Sequence, residues 1–284
     1  MYRRILVPLD GSTFAERALT PARELARRSG AALRLVSVVS GEEDRADREH
    51  YLGQVTRRLT DVHGIPAAKV GGVVVEGSLP EALVLRVADE APDLVTMVTH
   101  GRGPVERLWM GGIADSMVRE GGAPVLLIRN GDGRNEEFSV RDVLLPQDSS
   151  QVSRAILPHA LRLGSLLQCR FTLLRVLPPQ IPFDAGYFPE VVEAERPDER
   201  EERRALRALE DIFQPFRDEG LEVGAEVVAG VQPAEGILTY LESRPVDLVA
   251  LSTRGYGGVR RILLGSVTER LVRAYDGPFL VVRG

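Results

Sequence analysis

One lysine, Lys69, serves this whole 284-residue chain. A P-loop places a lysine on the phosphates behind its glycines, and no glycine-rich loop here carries one. That mechanism is excluded, so any phosphate must be held by backbone N–H groups, hydroxyls and arginine. Cysteine is as scarce. Cys169 alone excludes an internal disulfide and a thiolate zinc site within one chain. Between Gln168 and Arg170 it reads as a small buried apolar residue. The four histidines (His50, His63, His100 and His159) are scattered without metal-ligand spacing such as H-x-x-x-H. No apolar run approaches the ~20 residues of a membrane span. The opening MYRRILVPLD has neither the apolar stretch nor the cleavage site of a signal peptide, so a cytoplasmic location is expected. A positive excess is missing too. With Lys+Arg 36 against Asp+Glu 41, the net charge of −5 argues against broad binding to nucleic acid or anionic membranes.

What the chain does have is a repeat. DLVTMVTHGRGPVERLWMGGIADSMVREGGAPVLLIR, starting at Asp93, lies without a gap over DLVALSTRGYGGVRRILLGSVTERLVRAYDGPFLVVR, starting at Asp247. The offset is 154 throughout. Each copy reads as a buried strand, a glycine loop, two small residues, a helix and a last apolar strand. Upstream the correspondence continues at offset 138, where Pro8-Leu9-Asp10 matches Pro146-Gln147-Asp148. The growing offset places extra residues in the second copy between its second and fourth strands. The proline-rich segment running into EREERR is the expected location. The polar, glycine-rich NGDGRNEEFS between the copies reads as a linker, giving domains 1–137 and 138–284.

Within the first copy, strands are expected at residues 4–9, 32–39, 70–76, 94–99 and 125–129. Helices should follow Thr13, which with Glu16 forms a capping box, and Ser78, which does the same with Glu81. Another helix is expected over residues 50–61, ahead of the glycine-loop helix near 113–120. Strands alternating with helices at this spacing imply an α/β fold, a doubly wound parallel sheet with helices on both faces. Ligands on such sheets bind at the carboxyl ends of the strands near the switch in strand order. Asp10, Asp148 and both glycine loops fall on that edge.

The second loop, Ser252-Thr253-Arg254-Gly255-Tyr256-Gly257-Gly258, is followed by Gly265-Ser266 at a helix start. Glycines let backbone N–H groups approach an anion, and a helix N-terminus favours phosphate. Ser266 adds a hydroxyl and Arg254 a charged fork. The same residues also make ordinary turns and an ordinary N-cap.

Taken together, these motifs resemble the universal stress protein family in its tandem two-domain form, over nearly the whole chain. The family's ATP-binding pattern is G-x-x-G, nine residues, then G-[ST]. The second copy matches it from Ser252 through Gly255 to Gly265-Ser266, with serine in place of the first glycine. The first copy, from Val98 through Gly101 to Gly111-Gly112, has a branched side chain for the first glycine and lacks the final hydroxyl. Pro104 further stiffens that loop and removes an N–H.

The resemblance implies a Rossmann-like, adenine nucleotide α-hydrolase-like fold that binds ATP, with Mg2+, chiefly in the second domain. There Pro146, Asp148, Val176, Arg254, Gly255, Gly257, Gly265, Ser266 and Val267 would line the nucleotide. A second, weaker site would use Pro8, Asp10, Val38, Gly101, Gly103, Gly111 and Gly112. It also implies that the last strands of the two copies pair as an intrachain pseudo-dimer. A homodimer of the whole chain and an unidentified protein partner stay open.

No residue reads as a positioned general base, so no catalytic residue is assigned. Two alternatives stand beside a nucleotide-binding stress-response protein. One is a nucleotide-free interaction module, and the other a weak ATPase. Trp109 could stack on a base but suits covering core. His100 suits an exposed loop. EREERR suits a solvated helix face with local ion pairs, or else a docking surface.

Overall fold

The computed structural model describes residues 1–99, 112–129, 138–179, 197–253 and 265–284. Its first half runs β1 (Arg4–Pro8), α1 (Leu19–Ser29), β2 (Ala32–Val39), α2 (Arg45–Arg57), β3 (Val70–Glu76), α3 (Glu81–Glu90), β4 (Leu94–Val98), α4 (Gly112–Glu120) and β5 (Val125–Ile128). The second half runs β6 (Asp142–Pro146), α5 (Gln151–Arg154), α6 (Leu157–Leu167), β7 (Arg170–Leu177), α7 (Glu199–Glu210), α8 (Gln214–Asp218), β8 (Val223–Ala229), α9 (Pro233–Ser243), β9 (Leu248–Thr253), α10 (Ser266–Ala274) and β10 (Phe279–Arg283). The α/β architecture expected from the alternation is therefore present.

Among the described residues, ten strands form one sheet in the order β3-β2-β1-β4-β5-β10-β9-β6-β7-β8. Every pairing is parallel except one. β5 and β10 run antiparallel, with Phe279 opposite Leu127, Leu280 opposite Leu126 and Val281 opposite Val125. This is the intrachain pairing that the family resemblance implied, and each strand covers an edge that would otherwise be open. Strand side chains alternate between faces, so the sheet carries two cores. Ile5, Val7, Leu126 and Leu280 belong to one, and Leu6, Leu127, Phe279 and Val281 to the other. Both cores continue across the seam.

Several local details differ from the sequence reading. In the first turn the capping hydroxyl is Ser12, whose Oγ accepts the Ala15 N–H at 3.0 Å. Thr13 is displaced from that role because Asp10 Oδ1 accepts the Ser12 N–H at 2.9 Å and sets the turn one residue earlier. Glu16 pairs instead with Arg58. At α3, Ser78 Oγ donates to the Glu81 carboxylate at 2.9 Å and caps no backbone N–H. The helix expected over 50–61 begins earlier, at Arg45, and beyond Arg57 widens into a π-turn over Arg58–Val62. Gly30 ends α1 as expected, at φ 72° with its N–H on the Ala26 carbonyl. In the second half the longer connection lies between β7 and β8: Leu33 pairs with Val70 but Phe171 with Val223, a stretch 15 residues longer. The EREERR helix, α7, is capped by Asp198 on the Glu201 N–H, and its Arg203 reaches Glu199 at 2.9 Å.

Candidate functional site

Strand one of each half lies between strand two and strand four. β1 pairs with β2 and β4, and β6 with β7 and β9. The chain therefore leaves adjacent strands in opposite directions at their carboxyl ends, which opens a crevice. Asp10 and Asp148 sit at those two ends, both exposed, and fold the chain the same way. Asp148 Oδ1 accepts the Ser150 N–H at 2.9 Å, and Ser150 Oγ then accepts the Ser153 N–H at 3.0 Å to start α5. These are the contacts that Asp10, Ser12 and Ala15 make in the first half.

The electrostatics of the two ends differ through one residue of strand two. In the first half Ser37, buried, donates to the Leu9 carbonyl at 2.6 Å. By register its counterpart is Arg175, whose Nη1 donates to the Gln147 carbonyl at 3.4 Å. Burial alone would disfavour the Asp148 charge. The hydrogen bonds from Ser150 and Ser153, with the Arg175 charge, outweigh it and bring the carboxyl down to about 2. Asp148 is thus a fixed anion.

The helix that follows strand four starts at the same edge. Gly265 is the N-cap of α10 at φ 85°, where a side chain would be strained, and among the described residues an added Cβ there would meet nothing within 4 Å. Ser266 behind it is exposed, and Val267 is half-buried against the core. In the first half α4 begins at Gly112, also exposed. Arg254, Gly255, Gly257, Gly101, Gly103 and Gly111 lie outside the described residues, as do His100, Pro104 and Trp109.

The two edges have different interiors. In the first half, Pro8, Asp10, Val38 and Gly112 come together around a cleft of about 160 Å³. Val98, which replaces the motif's first glycine, lines this cleft as well. In the second half Pro146, Asp148, Gly265 and Ser266 share the edge, but Val176 is only 8% exposed. A Cβ added to Gly236 would fall 2.8 Å from Val176 and 2.9 Å from Val231, so those side chains close tightly over that helix. Ser252, at the first position of the second motif, donates its hydroxyl to the Val152 carbonyl and ties α5 to β9. Sequence reading missed Phe14 and Leu79, which line the first cleft. An apolar Leu79 just ahead of a helix start was the available signal.

The profile of the universal stress protein family matches residues 1–129 and 139–283. The chain belongs to this family. A universal stress protein of Mycolicibacterium smegmatis is 26% identical over 252 residues, covering 88% of this chain and 80% of its own length. Universal stress protein MJ0531 of Methanocaldococcus jannaschii is 29% identical over 152 residues, 53% of this chain and 86% of its own. Among solved structures, a universal stress protein from Archaeoglobus fulgidus superposes with a TM-score of 0.62 at 18% identity, covering 99% of this chain and 98% of its own. A protein from Pseudomonas aeruginosa UCBPP-PA14 gives 0.69 at 16%, covering 99% and 93%. At such identity these two show the fold alone, and the tandem universal stress protein architecture agrees with the ten-stranded sheet. Among the described residues, no helix is long and apolar enough to cross a membrane.

Proposed function

We propose that this universal stress protein, as domains 1–137 and 138–284, binds an adenine nucleotide at the carboxyl edge of its second domain. Occupancy there is linked to association with partner proteins in a stress response. The observation that carries the reading is the placing of Asp148, just past the end of β6, at the carboxyl edge that β6 shares with its parallel neighbour β9, the strand that leads to α10. Gly265 supplies a backbone that approaches phosphate without a side chain in the way. Ser266 adds a hydroxyl where the helix dipole is positive, and Asp148 offers acceptors to ribose hydroxyls. Pro146 and Val267 flank these groups, with Arg254, Gly255 and Gly257 completing the phosphate contacts by motif. ATP is the nucleotide the motif suits.

No cluster of three or more His, Cys, Asp or Glu able to hold a metal occurs among the described residues. Mg2+ would arrive on the phosphates, keeping most of its own water. Isothermal titration of MgATP tests the reading. The expected result is saturable binding to the intact chain, weakened about tenfold or more in Ser266→Ala, the loss of one charge-assisted contact. An absence of binding heat in the intact chain would remove it.

A second reading has its own support. The close packing of Val176 under Val231 and Gly236 suits a domain whose edge is filled by protein, a nucleotide-free interaction module. Adenine nucleotide released on denaturing freshly purified protein separates the two.

A further inference from the structure

At the amino ends of the strands, opposite the glycine loops, the two halves treat one position differently. In the first half Arg34 of β2 lies between Leu6 of β1 and Gly71 of β3. Its guanidinium rests over Gly71, where an added Cβ would fall 2.5 Å from Nη1. Its Nε faces the buried carboxylate of Glu90, at the end of α3, at 3.7 Å. By the same register the second half has Thr172 between Leu144 and Gly224. Among the described residues, a Cβ added to Gly224 meets nothing within 4 Å. A cleft of about 310 Å³ lies there, bounded by β6, β7, β8 and the end of α9. The first half thus fills with its own arginine a place that the second half leaves open.

The open place is also acidic. Gly224 and Glu226 share a face of β8, and Glu222 has the same parity just ahead of it. Two carboxylates therefore flank a position without a side chain, and both line the cleft. Tyr240 donates its hydroxyl to Glu226 at 3.1 Å, and Arg244 reaches the same carboxylate at 3.5 Å. An ionised carboxylate offers about four acceptor positions, so Glu226 retains capacity for another donor. Arg170 is forked onto Asp142 at 2.9 and 2.8 Å. The lining carboxylates Asp142, Glu222 and Glu226 outnumber the lining cations Arg170 and Arg244 by one. We infer that this cleft binds a guanidinium group, from free arginine or from an arginine side chain of a partner, laid over Gly224 as Arg34 is laid over Gly71. A guanidinium presents a planar fork to a carboxylate, which an ammonium does not. The site lies at the amino ends of the strands, so it stands independently of the nucleotide reading.

Saturation-transfer magnetic resonance on the full chain at low salt tests this with three probes: L-arginine, Nα-acetyl-L-arginine amide and L-lysine. Arginine is expected to bind saturably, with a dissociation constant of ~1 mM for so small a ligand. Lysine should bind about tenfold more weakly or not at all. Equal binding of the capped amide assigns the site to a partner's side chain, and its loss on capping assigns the site to the free amino acid. Either upholds the guanidinium assignment. Thr172→Arg supplies in cis the side chain that the first half carries, and should abolish arginine binding. Glu226→Gln keeps the shape but removes the charge, and should weaken it about tenfold. Thermal melts are recorded for both, and Glu226→Gln decides if Thr172→Arg fails to fold. The inference is overturned if neither arginine probe binds, or if lysine binds as tightly as arginine. It is also overturned if a folded Thr172→Arg, or Glu226→Gln, binds arginine as the intact chain does.

Discussion

Replacing Phe279 by alanine tests how firmly the two halves are joined. The ring is fully buried, in the core that runs across the seam. Its backbone position faces Leu127 of the other half. It also meets the Tyr275 ring edge-on at 5.7 Å, and Tyr275 is itself anchored by its hydroxyl on the Val246 carbonyl at 2.7 Å. Truncating a fully buried Phe costs about 3–5 kcal/mol through lost transfer and the cavity left behind. The aromatic pair contributes a further ~0.5–1.5 kcal/mol, which places the expected loss toward the upper end. Against a total of about 5–15 kcal/mol for an ordinary domain, that loss is large. Urea unfolding followed by circular dichroism reads it directly. Leu79→Ala, at a residue 46% exposed, is the control and should stay within about 0.5 kcal/mol. A loss below about 1 kcal/mol for Phe279→Ala would refute the claim that this side chain seals the seam.

Other expectations concern single groups. Gly265→Ala places a side chain at φ 85° and should lower stability by about 1 kcal/mol or more, read by thermal melting; an unchanged melt would contradict the left-handed N-cap. Burial pushes the Cys169 thiol up to about 12, so a thiol reagent at pH 8 should label the unfolded chain and leave the native chain unreacted. Rapid native labelling would show an open thiol. The Asp148 carboxyl is lowered in the folded state, so its contribution is present above the ordinary carboxylate value near 3.8 and fades as pH falls toward about 2. Asp148→Asn should therefore lower stability at pH 7, by less than about 1 kcal/mol because the group is largely exposed, and have no effect near pH 2. A larger penalty at acid pH would reverse the sign of this argument.

The repeat made most of the fold legible in advance. Offset arithmetic located the strands, their alternation with helices implied a sheet covered on both faces, and the family resemblance implied that the last strands of the two copies pair. Local capping was less legible, because neighbouring donors and acceptors compete. Thr13 and Ser12 are equally good cap residues by type, and only the Asp10 hydrogen bond decides between them. The site was legible by residue type but not by packing. Nothing in the spacing distinguishes Val38, which lines an open cleft, from Val176, which lies under Val231. Long side chains that cross the seam escaped as well. Arg129 donates to the Val272 carbonyl in the last turn of α10, and Arg283, its repeat counterpart, donates to the Arg119 carbonyl of α4 at 2.8 Å. Each half thus supplies a cation to the negative end of the other half's glycine-loop helix, where the dipole favours it.

The antiparallel join of β5 to β10 within one chain has a consequence for inheritance. In a pair assembled from two identical chains, any change to one glycine loop appears in the other, and the pair exists only at sufficient concentration. A covalent tie removes both conditions. The second half meets the first at an effective concentration fixed by its linker, and each loop can vary while its neighbour is conserved. Val98 at the position of Ser252, and Gly112 at that of Ser266, are differences that a pair of identical chains could not carry.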